Sequence, residues 1–273
     1  MVFTLRSYFD GGNQCDSTQY EVATLAAISG TPSQWRNFER DWKKNLRKHR
    51  VKWLHTTDAV ALSDIYSKDK GWNEQKRDAF LRDCVRVAER HTAKRKRLPD
   101  NPGRMGLFPV TITVHLADFV RLRKDRPEEG AKTAPEALVT QAISRVMEWG
   151  EKHHNPPVTA YHLFFDRNEP YRGYIHDRWV SKKARRALPL LNKVVEVGEV
   201  LDMRITPALQ LADLYAWCRS QKGKPPDFKW KRKLLKMDRI GEVLTYEAMV
   251  NSLIPGVTKI VESWNLPRKK PTR

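Results

Sequence analysis

The chain reads as an α/β protein, a mixed sheet flanked by helices with a basic C-terminal helical extension. Three observations predict this. Strand-length runs of β-branched and aromatic residues alternate with stretches whose apolar residues recur at three- and four-residue spacing. Hydrophobic residues make up 40% and aromatics 10% of the 273 residues, which supports one sizeable core. Beyond Lys222-Gly223-Lys224-Pro225-Pro226 the composition turns basic, separating a domain over residues 1–222 from an extension over 223–273.

The first strand is predicted over residues 4–10, closed by Asp10 and followed by the turn chemistry of Gly11-Gly12-Asn13. Tyr20 to Ile28 is mostly apolar and reads as a strand buried on both faces. A helix follows to about Arg50, with Thr31 or Ser33 as N-cap and Pro32 in its first turn. Trp35, Phe38, Trp42 and Leu46 form its buried stripe, while Arg36, Arg40, Lys43, Lys44, Arg47, Lys48 and Arg50 make the other face basic. A second amphipathic helix runs from Asn73 to about Lys94, with Phe80, Leu81, Cys84, Val87 and Ala88 inward. Lys94-Arg95-Lys96-Arg97 then opens a basic, turn-rich loop. Residues 107–116 alternate as a strand, Pro135 to about Trp149 is helical, and Thr159 to Asp166 is a strand. Further on come a helix from Pro170 to about Ala187, a strand over Val194–Val200 and a helix after Pro207. The extension carries Lys229, Lys231, Arg232, Lys233 and Lys236, then an amphipathic helix near 241–253.

Lys and Arg number 51 against 32 Asp and Glu, a formal net charge of +19. Such a balance favours a polyanionic partner, because cations on a protein release the counterions of nucleic acid. Three cysteines, Cys15, Cys84 and Cys218, lie far apart without a CxxC, which excludes a disulfide framework and fits a reducing cytoplasm. No run approaches the roughly 18 apolar residues of a membrane span.

Three acids stand out. Asp10 and Asp166 each close an apolar strand, and Asp213 interrupts the apolar helix Ala208–Trp217. A buried carboxylate must find a cation, either a guanidinium or ammonium group or a metal ion. Asp10 and Asp166 would meet if their strands pair in parallel, with Asp213 approaching from a flanking helix and Gln210, one turn away, holding a water or phosphate. Two Mg²⁺ or Mn²⁺ ions on such oxygen donors neutralise a phosphodiester, activate water and stabilise the leaving oxygen. Each acid also has a plainer reading: Asp10-Gly11 as a turn, Asp166 as a helix cap, Asp213 paired with Arg204 or Arg219. His55, in Trp53-Leu54-His55-Thr56-Thr57-Asp58, is either catalytic or a core histidine bonded to Asp58 or Thr56, whereas His153-His154 reads as solvated surface. GxxxxGK[ST], GxGxxG, HExxH and GxSxG are all absent.

Four segments together resemble a known family. Tyr8-Phe9-Asp10, the Trp35-x-x-Phe38-Glu39-x-x-Trp42 helix, Leu54-His55-Thr56-Thr57-Asp58 and Leu209-Gln210-Leu211-Ala212-Asp213-Leu214 are similar, in this order, to domain of unknown function 3800. That family resembles the ribonuclease H-like superfamily of nucleases, transposases and junction resolvases. The resemblance implies a ribonuclease H-like fold, metal-binding roles for Asp10, Asp166 and Asp213, and a match of His55 to the family's histidine. Where members have Glu-Ser-Gly after the first aspartate, this chain has Gly11-Gly12-Asn13, leaving Glu21, Asp16 or Glu169 to replace the missing glutamate. The expectation is a divalent-metal nuclease of DNA or RNA. Arg36, Lys43, Lys44, Arg47, Lys94, Arg95, Lys96, Arg97, Lys229 and Lys231 are expected to contact phosphates. The alternatives are a decayed nucleic-acid-binding module on the same scaffold, and a protein-interaction subunit of a defence or mobile-element system.

Overall fold

A computed structural model describes residues 3–12, 18–92, 106–128, 131–154, 157–167, 192–223, 228–238 and 240–252. Its centre is β2 (Val22–Gly30), in which all nine residues are buried, as an apolar run covered on both faces requires. β1 (Thr4–Gly12) and β3 (Phe108–His115) flank it, both antiparallel to it. β4 (Ala160–Asp166) runs parallel to β1, β5 (Val194–Leu201) parallel to β4, and β6 (Ile240–Leu244) parallel to β3. The six strands lie in the order β5-β4-β1-β2-β3-β6. The α/β mixed sheet expected from the sequence is therefore present.

Helices cover both faces. α1 (Pro32–Lys48) starts with a capping box in which Thr31 and Gln34 satisfy each other's backbone, and it buries Trp35, Phe38, Trp42 and Leu46. α2 (Thr56–Ala61) and α3 (Glu74–Thr92) share its layer. Asp83 ties α1 to α3, lying 2.6 Å from Lys48 Nζ, 2.9 Å from His49 Nε2 and 2.8 Å from Arg86 Nη1. Partial burial works against the Asp83 carboxylate, but the bonds from Lys48, His49 and Arg86 win and bring its pKa down to about 2.

On the opposite face lie α4 (Leu116–Asp125) and α5 (Ala134–His153). Strand alternation assigns the two cores. Leu5 and Phe9 of β1, Leu25 of β2 and Ile112 of β3 point to α5. Tyr8 and Ile28 point to the second layer, which α6 (Pro207–Ser220) and α7 (Lys229–Leu235) complete.

Several expectations are corrected. Gly11 and Gly12 continue β1 rather than turn, so Asp10 is not a turn residue. The segment predicted as one helix near 241–253 is β6 followed by α8 (Tyr246–Ser252), with Leu244 and Met249 in the α5-side core. α7 places Trp230 and Leu234 in the other core, so the described part of the expected extension is built into the fold. His154 is not solvated. It is 5% exposed, and its ring lies 4.6 Å from that of Phe3 and 4.7 Å from that of Trp149. Neither of its ring nitrogens has a partner among the described residues, and burial lowers its pKa to about 4. α2 and α4 were not foreseen from the sequence. The helix expected from Pro170 and the basic loop at 94–97 lie outside the described residues. No described helix is long and apolar enough to cross a membrane.

Candidate functional site

The parallel pairing of β1 and β4 sets Phe9 against Phe165, their rings stacked 4.6 Å apart. Both rings point to the α5 face. The next residue of each strand, Asp10 and Asp166, therefore points to the α6 face, one beside the other. Asp10 is 5% exposed. Asp166 is half-buried, and its Oδ1 accepts a hydrogen bond from the Met203 N–H at 3.1 Å.

α6 presses on this end of β1. A Cβ at position 12 would lie 2.7 Å from the carbonyl oxygen of Ala216, so only glycine fits there. The same helix brings Gln210 and Asp213 against the Leu54–Thr56 segment. Gln210 Oε1 accepts from Trp42 Nε1 at 2.8 Å and from the Leu54 N–H at 3.1 Å, while its Nε2 donates to the Met203 carbonyl at 2.9 Å. Asp213 Oδ2 accepts from both the Thr56 N–H and the Thr56 hydroxyl, each at 2.7 Å. Thr56 opens α2, whose N-cap His55 makes no side-chain cap bond, so Asp213 caps that helix from outside. Burial pushes the Asp213 pKa up, opposed in part by the His55 imidazole and the two Thr56 bonds.

His55 sits between these anchors. Its Nδ1 is 2.6 Å from Asp58 Oδ2, and Asp58 Oδ1 accepts from Ser63 Oγ at 3.2 Å. Burial lowers the His55 pKa, but Asp213, Asp58 and Asp64 together outweigh it and hold the ring above the ordinary histidine value. Nearby, Leu62 and Asp64 adopt left-handed backbone, at φ 55° and 50°. For a leucine that conformation costs about 1 kcal/mol or more, and such strain gathers where a structure over-determines a site.

The sequence placed Asp10, Asp166 and Asp213 on one site, and the sheet and α6 do put all three on one face. Neither guanidinium suggested for Asp213 neutralises it: Arg204 pairs with Asp202 at 3.1 Å, and Arg219 Nη2 donates to the Gly241 carbonyl at 2.8 Å. Among the described residues, no group of three or more His, Cys, Asp or Glu side chains is arranged to hold a metal ion. Glu169 and Asp16 lie outside the described residues, and Glu21 is exposed just ahead of β2.

Of the expected phosphate contacts, Arg36, Lys43, Lys44, Arg47 and Lys229 are exposed. A shallow cleft of about 530 Å³ opens on α1, walled by Arg40, Lys43, Arg47 and Lys52 over Leu46 and Val51. Two expectations are corrected. Lys231 is 2% exposed and donates to the Gln221 carbonyl at 3.0 Å, so it is a core residue. Gln210, 1% exposed with both ends of its amide bonded, is a docking residue for the 54–56 segment and not a phosphate ligand. Lys94, Arg95, Lys96 and Arg97 lie outside the described residues. The roles of Met203 and Thr56 escaped sequence reading, since a backbone amide that receives a distant carboxylate leaves no compositional trace.

Comparison with protein-family models, with curated proteins and with solved structures finds no match for this chain.

Proposed function

We propose that the protein is a divalent-metal-dependent nuclease of the ribonuclease H-like type, acting at the α6 face of the sheet. The observation that carries the reading is the register of β1 and β4. It sets two acids side by side at parallel strand ends, on the face where α6 buries a third. The net charge of +19 and the exposed cations of α1 support a polyanionic substrate.

The donor set fits Mg²⁺ or Mn²⁺ in kind, being all carboxylate oxygen. Mg²⁺ commonly binds through one or two carboxylates, with waters and substrate phosphate completing its shell. Asp10 and Asp166 would hold the ion, while Asp213, committed on one oxygen to Thr56, would hold α2 in place behind them. A bound ion would supply charge neutralisation at the phosphate and an activated water. Asp58 engages Nδ1 of His55, which leaves Nε2 to give a proton to the leaving oxygen. The α1 cations hold the backbone, so log affinity falls with log salt at a slope of about −0.9 per duplex phosphate contacted.

The test is a panel of labelled single- and double-stranded DNA and RNA, incubated with Mn²⁺ or with EDTA. Wild type should cut only with Mn²⁺, and Asp10→Asn and Asp166→Asn should each lose at least a hundredfold in rate while binding as before. Undiminished cutting by both variants would refute the assignment. A second reading, a nucleic-acid-binding module on this scaffold, is favoured by the commitment of Asp213 to α2 and by Gly11 in the glutamate's place. It requires equal binding in EDTA and no cutting by wild type.

A further inference from the structure

Beside the three acids, on the same face, lies a second cleft of about 400 Å³. It is lined by Arg6 and Tyr8 of β1, Glu39 of α1, Phe164 of β4, Leu201 of β5 and the Ile205–Pro207 segment that leads into α6. Tyr8 and Phe164 stand two residues before Asp10 and Asp166, and their rings stack 4.9 Å apart within 19° of parallel. The floor is thus aromatic; Tyr8, held between Phe164 and the edge of Trp35, is 6% exposed, and the half-buried Phe164 is the ring with surface to offer. Ile205, on the rim, is 78% exposed and adds apolar surface at the mouth of the cleft.

The polar groups discriminate among occupants. Glu39 places a carboxylate in the lining, which repels a phosphate but accepts from the ring N–H and amino groups of a nucleobase. Arg6 is exposed and offers donors to base carbonyl and ring-nitrogen acceptors. On α1, Arg36, Arg40, Lys43 and Arg47 follow one another at three- and four-residue spacing, beginning one turn before Glu39 and running on beyond it. At 1.5 Å of rise per residue that stripe extends for about 16 Å, a track for backbone phosphates leading away from the cleft.

We infer that this cleft receives a single unpaired nucleobase, packed against the half-buried Phe164 ring, while the strand's phosphates follow the basic stripe of α1. The inference rests on the nuclease reading for its substrate class and adds the strand state: the preferred substrate has unpaired bases next to the phosphate at Asp10 and Asp166. Stacking on aromatic side chains serves every base, because each has a π face, so the selectivity falls on pairing rather than on sequence.

The test uses binding in EDTA, which keeps it separate from cleavage. A fluorescent single-stranded oligonucleotide is compared with an abasic strand of equal length and equal phosphate count. Wild type should bind the natural strand at least five times more tightly. Phe164→Leu, which keeps an apolar side chain of similar size, should remove most of that ratio by weakening the natural strand alone. Ile205→Ser, an exposed rim change that leaves the core intact, should lower the ratio in the same direction, and thermal melts verify that both variants fold. Equal affinity of wild type for the two strands would overturn the inference. So would a ratio left unchanged in both variants. Loss of Mn²⁺-dependent cutting with the ratio intact would sink the nuclease reading and leave the base pocket standing.

Discussion

The two faces of the sheet divide the work of the molecule. The α5 side is built mainly on hydrocarbon, with Leu5, Phe9, Leu25, Ile112, Leu138 and Ile143 all at 0% exposure. The α6 side is equally well buried but carries Asp10, Gln210, Asp213 and the Thr56 hydroxyl in its interior. A polar group in such a layer is tolerated only where its bonds are met, which is why Gln210 and Asp213 reach across to Leu54, Trp42 and Thr56. The contrast teaches that β1 serves both layers through alternation: Phe9 stabilises one face, and its neighbour Asp10 turns a buried carboxylate to the other.

Changes on the α5 face should therefore act on stability alone. Phe9→Ala removes a fully buried ring stacked on Phe165 and should cost about 3–5 kcal/mol in denaturant unfolding. Any activity left in the folded fraction should keep its wild-type metal dependence. On the α6 face, Gln210→Leu keeps the volume but strands the Trp42 indole N–H and the Leu54 N–H. It should cost about 2–3 kcal/mol and speed hydrogen exchange at residues 54–56 more than elsewhere, because each orphaned donor bears its desolvation penalty. Uniform acceleration across the chain would show that Gln210 is not a local dock.

A buried histidine on the α5 side sharpens the comparison through pH. His154 titrates near 4 when folded, against an ordinary value of about 6.5, so the folded state favours its neutral ring. The unfolded chain binds the proton first. Stability should thus be fully present above about pH 6.5 and decline as pH falls towards 4, by on the order of 2 kcal/mol. His154→Phe should flatten that decline, as read by melting temperature at pH 7 and pH 5. The smallest effect is expected at the start of α1, where Thr31→Ala removes one half of a capping box and should cost about 1 kcal/mol with no change in nucleic-acid affinity.

Much of the scaffold was legible from local pattern. Pro32 after Thr31, the Trp35–Phe38–Trp42–Leu46 spacing and the unbroken apolar run at β2 each state their structure within one segment. Segment 240–252 misled because its apolar residues fit a helical period, while its first five residues are drawn into the sheet by pairing with β3. Gly11-Gly12 read as a turn because the reason for glycine at position 12, the passage of α6 over β1 at Ala216, lies far along the chain. For the site, the acids were visible as polar interruptions of apolar runs. Their partners were not, since Met203 and Thr56 bind them through backbone amides that no side-chain pattern announces.

Mn²⁺ binding followed by thermal melting puts the assignment of the α6 face to the most direct test. Wild type should melt at a higher temperature in Mn²⁺ than in EDTA, and that rise should vanish in Asp10→Ala and in Asp166→Ala while persisting in His154→Phe on the far side of the sheet. A wild type indifferent to Mn²⁺, or a shift of equal size in both aspartate variants, would contradict a metal held between those two strand ends.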